Sequence, residues 1–163
     1  MPRFREFARP TPNLTAGRNA CLGVVLHHSV MPFGPALDRL TDPASGVSYH
    51  ALIDLDGTRC VLAPDDAIAH HAGVSSFRGR DGCNRFMLGV AFAGDTWVEP
   101  LTAAQIDSVL EWLQDRWTRH GWTPDWITDH RQVAPGRKND LCPSEWTRVE
   151  GAISGRFGAG GPP

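Results

Sequence analysis

The chain is 163 residues long, 41% apolar and 21% charged, with 16 Lys and Arg against 18 Asp and Glu for a formal charge of -2. That suits one domain with enough apolar material for a core, and it excludes collagen, coiled coil and wholesale disorder. A near-neutral balance gives no pull toward nucleic acid, and no stretch approaches the ~20 apolar residues of a spanning helix.

Residues 1–20 are polar, with Pro10, Pro12 and Gly17, and read as an irregular N-terminal segment. They hold no apolar run of the secretory kind, so the chain is expected to be cytoplasmic as synthesised. Gly23-Val24-Val25-Leu26 suits a strand buried on both faces, ending at His27-His28-Ser29. A short helix is predicted over 35–42, with Leu37 and Leu40 on one side, followed by turn chemistry at Pro43-Ala44-Ser45-Gly46. Val47–Asp54 and Thr58–Leu62 form a predicted hairpin around Asp56-Gly57. Residues 64–85 lack any period and read as a long loop, of the sort that carries function. Phe86–Ala93 is a second buried strand. The clearest helix runs from Ala103 to His120, with Thr102 and Gln105 as a capping box and Gly121 as its stop. Ile106, Val109, Leu110, Leu113 and Trp117 share one face of it. Trp126-Ile127-Thr128 leads a short strand into Asp129-His130, and a last helix covers 144–153. The domain then spans 21–157, with a flexible tail over 158–163. Intermixed strands and helices point to an α/β sheet with helices on its faces.

Cys21, Cys60, Cys83 and Cys142 are far apart and form no Cys-x-x-Cys pair. They read as reduced thiols, and zinc-finger and thioredoxin chemistry is excluded. Of seven histidines, His27 and His130 stand where strands end, the place where α/β sheets bind ligands. A catalytic zinc takes three protein ligands and keeps one open position. Asp140 and Cys142, both in the loop after His130, are candidates for the third.

Four segments resemble the zinc-dependent N-acetylmuramoyl-L-alanine amidases, a family that includes amidase-type phage lysozymes and peptidoglycan recognition proteins. They are Val24–Ser29, Val47–Asp54 with Asp56-Gly57, Ala69–Ser75, and His130–Asp140 with its Ala134-Pro135-Gly136-Arg137-Lys138-Asn139-Asp140 run. Asn84 and Leu88-Gly89-Val90 add to the likeness. The resemblance implies a central mixed β-sheet flanked by helices, with zinc held by His27, His130 and Asp140. Asp140 stands at the family's two-residue step from Lys138, whereas Cys142 lies four residues on and is the alternative ligand. Lys138 is implied as the cation beside the oxyanion, and His71 as a substrate contact.

One branch of the family, the cytosolic muropeptide amidases, carries a Glu where this chain has Ala91. The phage and recognition-protein branch instead uses a Tyr where this chain has Tyr49, its only tyrosine. Tyr49 is therefore the implied proton-transfer or water-orienting group. The implied activity is cleavage of the amide between N-acetylmuramic acid and L-alanine in peptidoglycan, by a monomer acting in a wall-lytic or remodelling role. An endolysin released by a holin-type route would fit that role. Cytosolic recycling of anhydro-muropeptides and non-catalytic muropeptide binding are the alternatives. The short interval from His27 to His50 and the presence of Tyr49 favour the wall-directed reading.

Overall fold

The computed structural model describes residues 1–158. In chain order it forms β1 (Glu6–Ala8), β2 (Leu14–Thr15), β3 (Gly23–His28), α1 (Phe33–Thr41), β4 (Ala51–Ile53), β5 (Arg59–Val61), β6 (Ile68–Ala69), β7 (Ser76–Phe77), β8 (Arg80–Asp81), β9 (Met87–Phe92), α2 (Ala103–His120), β10 (Ile127–Asp129), α3 (His130–Val133) and α4 (Pro143–Phe157). Six strands make one mixed sheet in the order β1-β5-β4-β9-β3-β10. Only the β4–β5 hairpin is antiparallel.

The two continuous apolar runs become the sheet centre. β3 and β9 pair in parallel over all six residues, Gly23 opposite Met87 through His28 opposite Phe92, and every one of these residues is buried. Strand alternation divides their side chains between two layers. Val24, Leu26, Val90 and Phe92 face α2 and α4, where they meet Val109, Trp112, Leu113, Val149 and Ile153. Leu52 and Ala91 face α1 through Leu37 and Leu40, and Val25 and Met87 face Cys83, Phe86 and Val133. His27 alternates onto this second face, His28 onto the first.

α2 begins and ends as predicted. Thr102 accepts from the Gln105 amide, the Gln105 side chain accepts from the Thr102 amide, and Gly121 closes the helix with φ 67°. α4 is longer than predicted at both ends; it starts one residue earlier because Pro143 supplies a first residue with no amide to satisfy, and it runs on to Phe157.

Three expectations are corrected. Residues 1–20 are not irregular throughout: β1 adds a parallel edge strand to β5. Its signal was hidden because three residues with only Phe7 partly buried show no apolar period. The buried Arg59 guanidinium reaches Glu6 at 2.8 Å and Glu111 at 2.9 Å. The hairpin's first strand covers only Ala51–Ile53, since the Ser48 hydroxyl and amide bond to Asn13 and His70 instead of to a strand. The 64–85 loop contains β6, paired with β2, and the small β7–β8 hairpin. The tail expected over 158–163 lies, from residue 159 on, outside the described residues.

Candidate metal centre

Two imidazoles and one carboxylate converge at the ends of the central strands. His27 closes the inward face of β3. His130 opens α3, immediately after β10, and Asp129 caps that helix by accepting from the Gln132 amide at 3.1 Å. Asp140 returns along the following loop, held where the Arg131 amide donates to its backbone carbonyl at 2.6 Å and the Leu141 amide donates to Asp129 at 3.0 Å. The His27 and His130 Nδ1 atoms stand 3.0 Å apart. Asp140 Oδ2 lies 3.4 Å from His27 Nδ1 and Oδ1 lies 3.2 Å from His130 Nδ1. All three side chains are buried.

Those separations suit a single small cation. Four ligands at zinc's usual distance, about 2.0–2.1 Å, stand about 3.3–3.4 Å from one another in a tetrahedron. The ring chemistry agrees. His130 Nε2 lies 3.1 Å from the Ala72 carbonyl, which only accepts. In a neutral ring that nitrogen carries the proton, which leaves Nδ1, the atom turned toward Asp140, as the one able to take a cation. Burial, followed by the neighbouring His130, lowers the His27 pKa to about 4, so this ring is neutral at pH 7. Burial pushes the Asp140 carboxyl up, but the His130 and His27 ring nitrogens outweigh it and hold it below the usual carboxylate range. Neutral imidazoles and an ionised carboxylate are the protonation states in which these groups ligate.

His130 and Asp140 line a cleft of about 390 Å³, with His27 buried behind them. Tyr49, Lys138, Asn139 and Arg39 line its walls. The Tyr49 ring stands 5.0 Å from that of His27, and burial together with the Asp140 charge raises its phenol. Lys138 is exposed. Asp140 is the only carboxylate lining this cleft among the described residues.

Other candidates fall elsewhere. Cys142 caps α4, with Sγ 3.5 Å from the Ser144 hydroxyl, and does not join the cluster. The sequence points toward either residue, but the geometry brings Asp140 to the imidazoles. His71 borders the cleft, yet both its ring nitrogens are bonded within the protein, to His27 Nε2 at 3.0 Å and the Met87 carbonyl at 3.1 Å. No ring nitrogen is left for the substrate contact expected of it. His50 is structural, spanning the Ala67 carbonyl and the Gly89 amide. Asp129 and Gly89 are supporting residues that sequence reasoning passed over. Gly89 did leave a signal, because a glycine inside an apolar strand marks close approach by another group.

A buried His-His-Asp donor set, at the strand ends of a mixed sheet and under an open cleft, is a site of the catalytic-metal type. A family model described as N-acetylmuramoyl-L-alanine amidase matches residues 17–145. The chain belongs to that family. It is 36% identical over 109 residues to the 1,6-anhydro-N-acetylmuramyl-L-alanine amidase AmpD of Enterobacter cloacae, a match covering 66% of this chain and 58% of the relative's length. A crystal structure of AmpD superposes with a TM-score of 0.76 at 28% identity, covering 94% of this chain and 96% of that one. The AmiD amidase of E. coli, solved with anhydro-N-acetylmuramic acid-L-Ala-D-gamma-Glu-L-Lys, gives 0.71 at 25% identity over 89% of this chain and 61% of its own. Among the described residues no helix is long and apolar enough to cross a membrane.

Proposed function

We propose that this protein is a zinc-dependent amidase that hydrolyses the bond between the lactyl group of N-acetylmuramic acid and L-alanine in soluble muropeptides of the anhydro type. The observation that carries the reading is the buried His27–His130–Asp140 cluster beneath a cleft walled by Tyr49 and Lys138. The three residues would hold zinc, which when bound acidifies water and polarises a carbonyl. Lys138 is the cation that meets the negative charge developing on the amide oxygen. Tyr49, kept protonated by its raised pKa, orients water or donates a proton; it is not a resting base.

The choice of a soluble substrate departs from the wall-directed preference drawn from the sequence. The curated anhydro-muropeptide amidases, and the substrate held by the AmiD structure, support it. Tyr49 with Ala91 in place of a glutamate favours the wall-directed alternative. The test is mass spectrometry of two parallel digests by the zinc-loaded protein, one of an anhydro-muropeptide and one of intact peptidoglycan. Faster release of free L-alanine N-termini from the soluble substrate, abolished by EDTA, is expected. Faster release from the polymer would favour the wall-directed role. Muropeptide binding with one zinc per chain and no turnover would establish a binding module.

A further inference from the structure

His71 lies directly beneath a metal-ligand histidine, in a slot that the sheet opens for it. On the inward face of the sheet, His27 of β3 stands opposite Ala91 of β9, and Val25 stands opposite Gly89. A Cβ on Gly89 would sit 2.4 Å from His71 Cγ and 2.6 Å from its Nδ1, so the imidazole occupies the space a side chain would need. The slot is braced from behind. The His50 ring accepts from the Gly89 amide at 3.0 Å and lies 2.9 Å from the Ala67 carbonyl. The backbone around His71 is fixed as well, because Asn84 Oδ1 accepts from the His71 and Ala72 amides at 3.1 and 2.7 Å.

The Met87 carbonyl sets the direction of the hydrogen bonds at the foot of this stack. The Met87 carbonyl has no proton to give, so His71 Nε2, 3.1 Å away, is the protonated nitrogen. In a neutral ring its Nδ1 is then a lone pair. That lone pair faces His27 Nε2 at 3.0 Å and can only accept, so His27 carries its proton on Nε2. In the neutral ring Nδ1 is then the nitrogen open to a cation, on the side where His130 and Asp140 meet.

We propose that His71 is a positioning residue whose fixed tautomer sets the tautomer of His27 and so preorganises the metal centre. The proposal rests on the metal-site reading above, but it concerns the protein before metal enters. A ligand histidine whose far nitrogen meets a committed partner binds metal more tightly, and losing such a partner costs about 10–100-fold in affinity. In most such sites the partner is a carboxylate, a carbonyl or water. Here it is a second imidazole, whose own orientation is dictated by a strand carbonyl.

The test uses histidine-labelled, metal-free protein at pH 8 and reads the imidazole tautomers from long-range 1H–15N correlations. Zinc affinity is then measured by chelator competition. The wild type should show His71 and His27 both protonated on Nε2. His71→Leu fills the slot without an acceptor. It should let His27 protonate on Nδ1 and weaken zinc binding about 10–100-fold. His71→Asn puts an oxygen near the place of Nδ1 and should restore affinity to within a few-fold of wild type. A wild-type His27 protonated on Nδ1 would overturn the proposal, as would a folded His71→Leu protein with wild-type affinity, or an Asn variant no better than Leu. Should His71→Leu fail to fold, the wild-type spectrum and the Asn variant still decide the matter. A wild type with the predicted tautomers that binds no zinc would refute the metal reading while leaving the relay intact.

Discussion

Replacing Gly89 with alanine adds one methyl group, and the structure fixes the sign of the effect. In an ordinary strand position whose backbone an alanine tolerates, glycine to alanine stabilises by about 0.4–1 kcal/mol through the unfolded chain. At Gly89 the new Cβ would lie 2.4, 2.6 and 2.7 Å from His71 Cγ, Nδ1 and Cβ, where carbon atoms normally rest about 3.5–4.0 Å apart. One partner must move by about 1 Å. The strand cannot, since β9 is paired on both sides and its Gly89 carbonyl accepts from the His50 amide at 2.8 Å. The imidazole must therefore leave its slot. Overpacking costs about 1–3 kcal/mol, and each abandoned hydrogen bond of His71 adds about 0.5–1.5 kcal/mol. The net loss is about 2–4 kcal/mol, a fall in Tm of about 5–15 °C for a chain of this size. Thermal unfolding in excess chelator isolates packing from metal linkage. Repeating it with zinc should show a smaller metal-induced rise in Tm than in wild type. Gly151→Ala is the control: nothing lies within 4 Å of its Cβ, in the exposed flank of α4, and it should stabilise. A Gly89→Ala protein as stable as wild type in chelator would refute the steric argument.

Asp140→Ala should leave the fold intact and bring zinc from one per chain to near none by elemental analysis, because the two imidazoles remain without the charged ligand. Lys138→Ala and Tyr49→Phe should each keep wild-type zinc content while turnover falls ~10²-fold or more, and a loss confined to KM would contradict their placement in the reaction. Asp65→Asn tests the cluster joining the loop before β6 to the end of α2, where Asp65 lies 3.0 Å from both Arg116 Nε and His120 Nε2. Burial pushes Asp65 up, but His120 and Arg116 outweigh it, so its folded pKa lies below its unfolded value. The stability this contributes is present above the unfolded pKa and is lost as pH falls through the folded one. Denaturant titration should show the variant about 1–3 kcal/mol weaker at pH 7, between an exposed and a fully buried pair, with the gap closing below about pH 4.

What was legible in the sequence followed from periodicity and end signals. The runs ending at His27 and spanning Gly89 could only be central strands, and the Thr102–Gln105 box fixed where α2 begins. The amidase resemblance then gathered His27, His130 and Asp140, which composition alone left open against Cys142. The edge strand β1 was invisible because it is three residues long with one partly buried side chain, Phe7, and pairs in parallel with the distant β5, which leaves no local pattern. The position of His71 was illegible for a related reason. The resemblance made His71 a substrate contact, and only the tertiary fold lays its aperiodic loop over the missing side chain of a distant strand. Trp97, 53% exposed, ties its indole N–H to the Asn139 carbonyl, next to Asp140 in the chain.

The supporting residues also explain how ligands from three separate places share one point. His27 belongs to a strand paired on both sides and has little freedom. His130 and Asp140 sit at either end of a loop with no long element of its own, and Asp129 ties the two ends together. Its Oδ1 accepts from Gln132 and so caps the short helix that begins at His130; its Oδ2 accepts from the Leu141 amide next to Asp140. Asp129 is fully buried, and burial raises its pKa, so the carboxylate costs stability that a neutral side chain would not. An asparagine could keep the cap, but its NH2 group would face one of the two amides as a second donor. Only a group that accepts on both oxygens can hold both ends of the loop, so an aspartate is the small side chain that fits. The cost of burying it is offset by fixing two ligands with one residue. The relay through His71 does the same for the third ligand, so all three are oriented by the protein rather than by the cation they would hold.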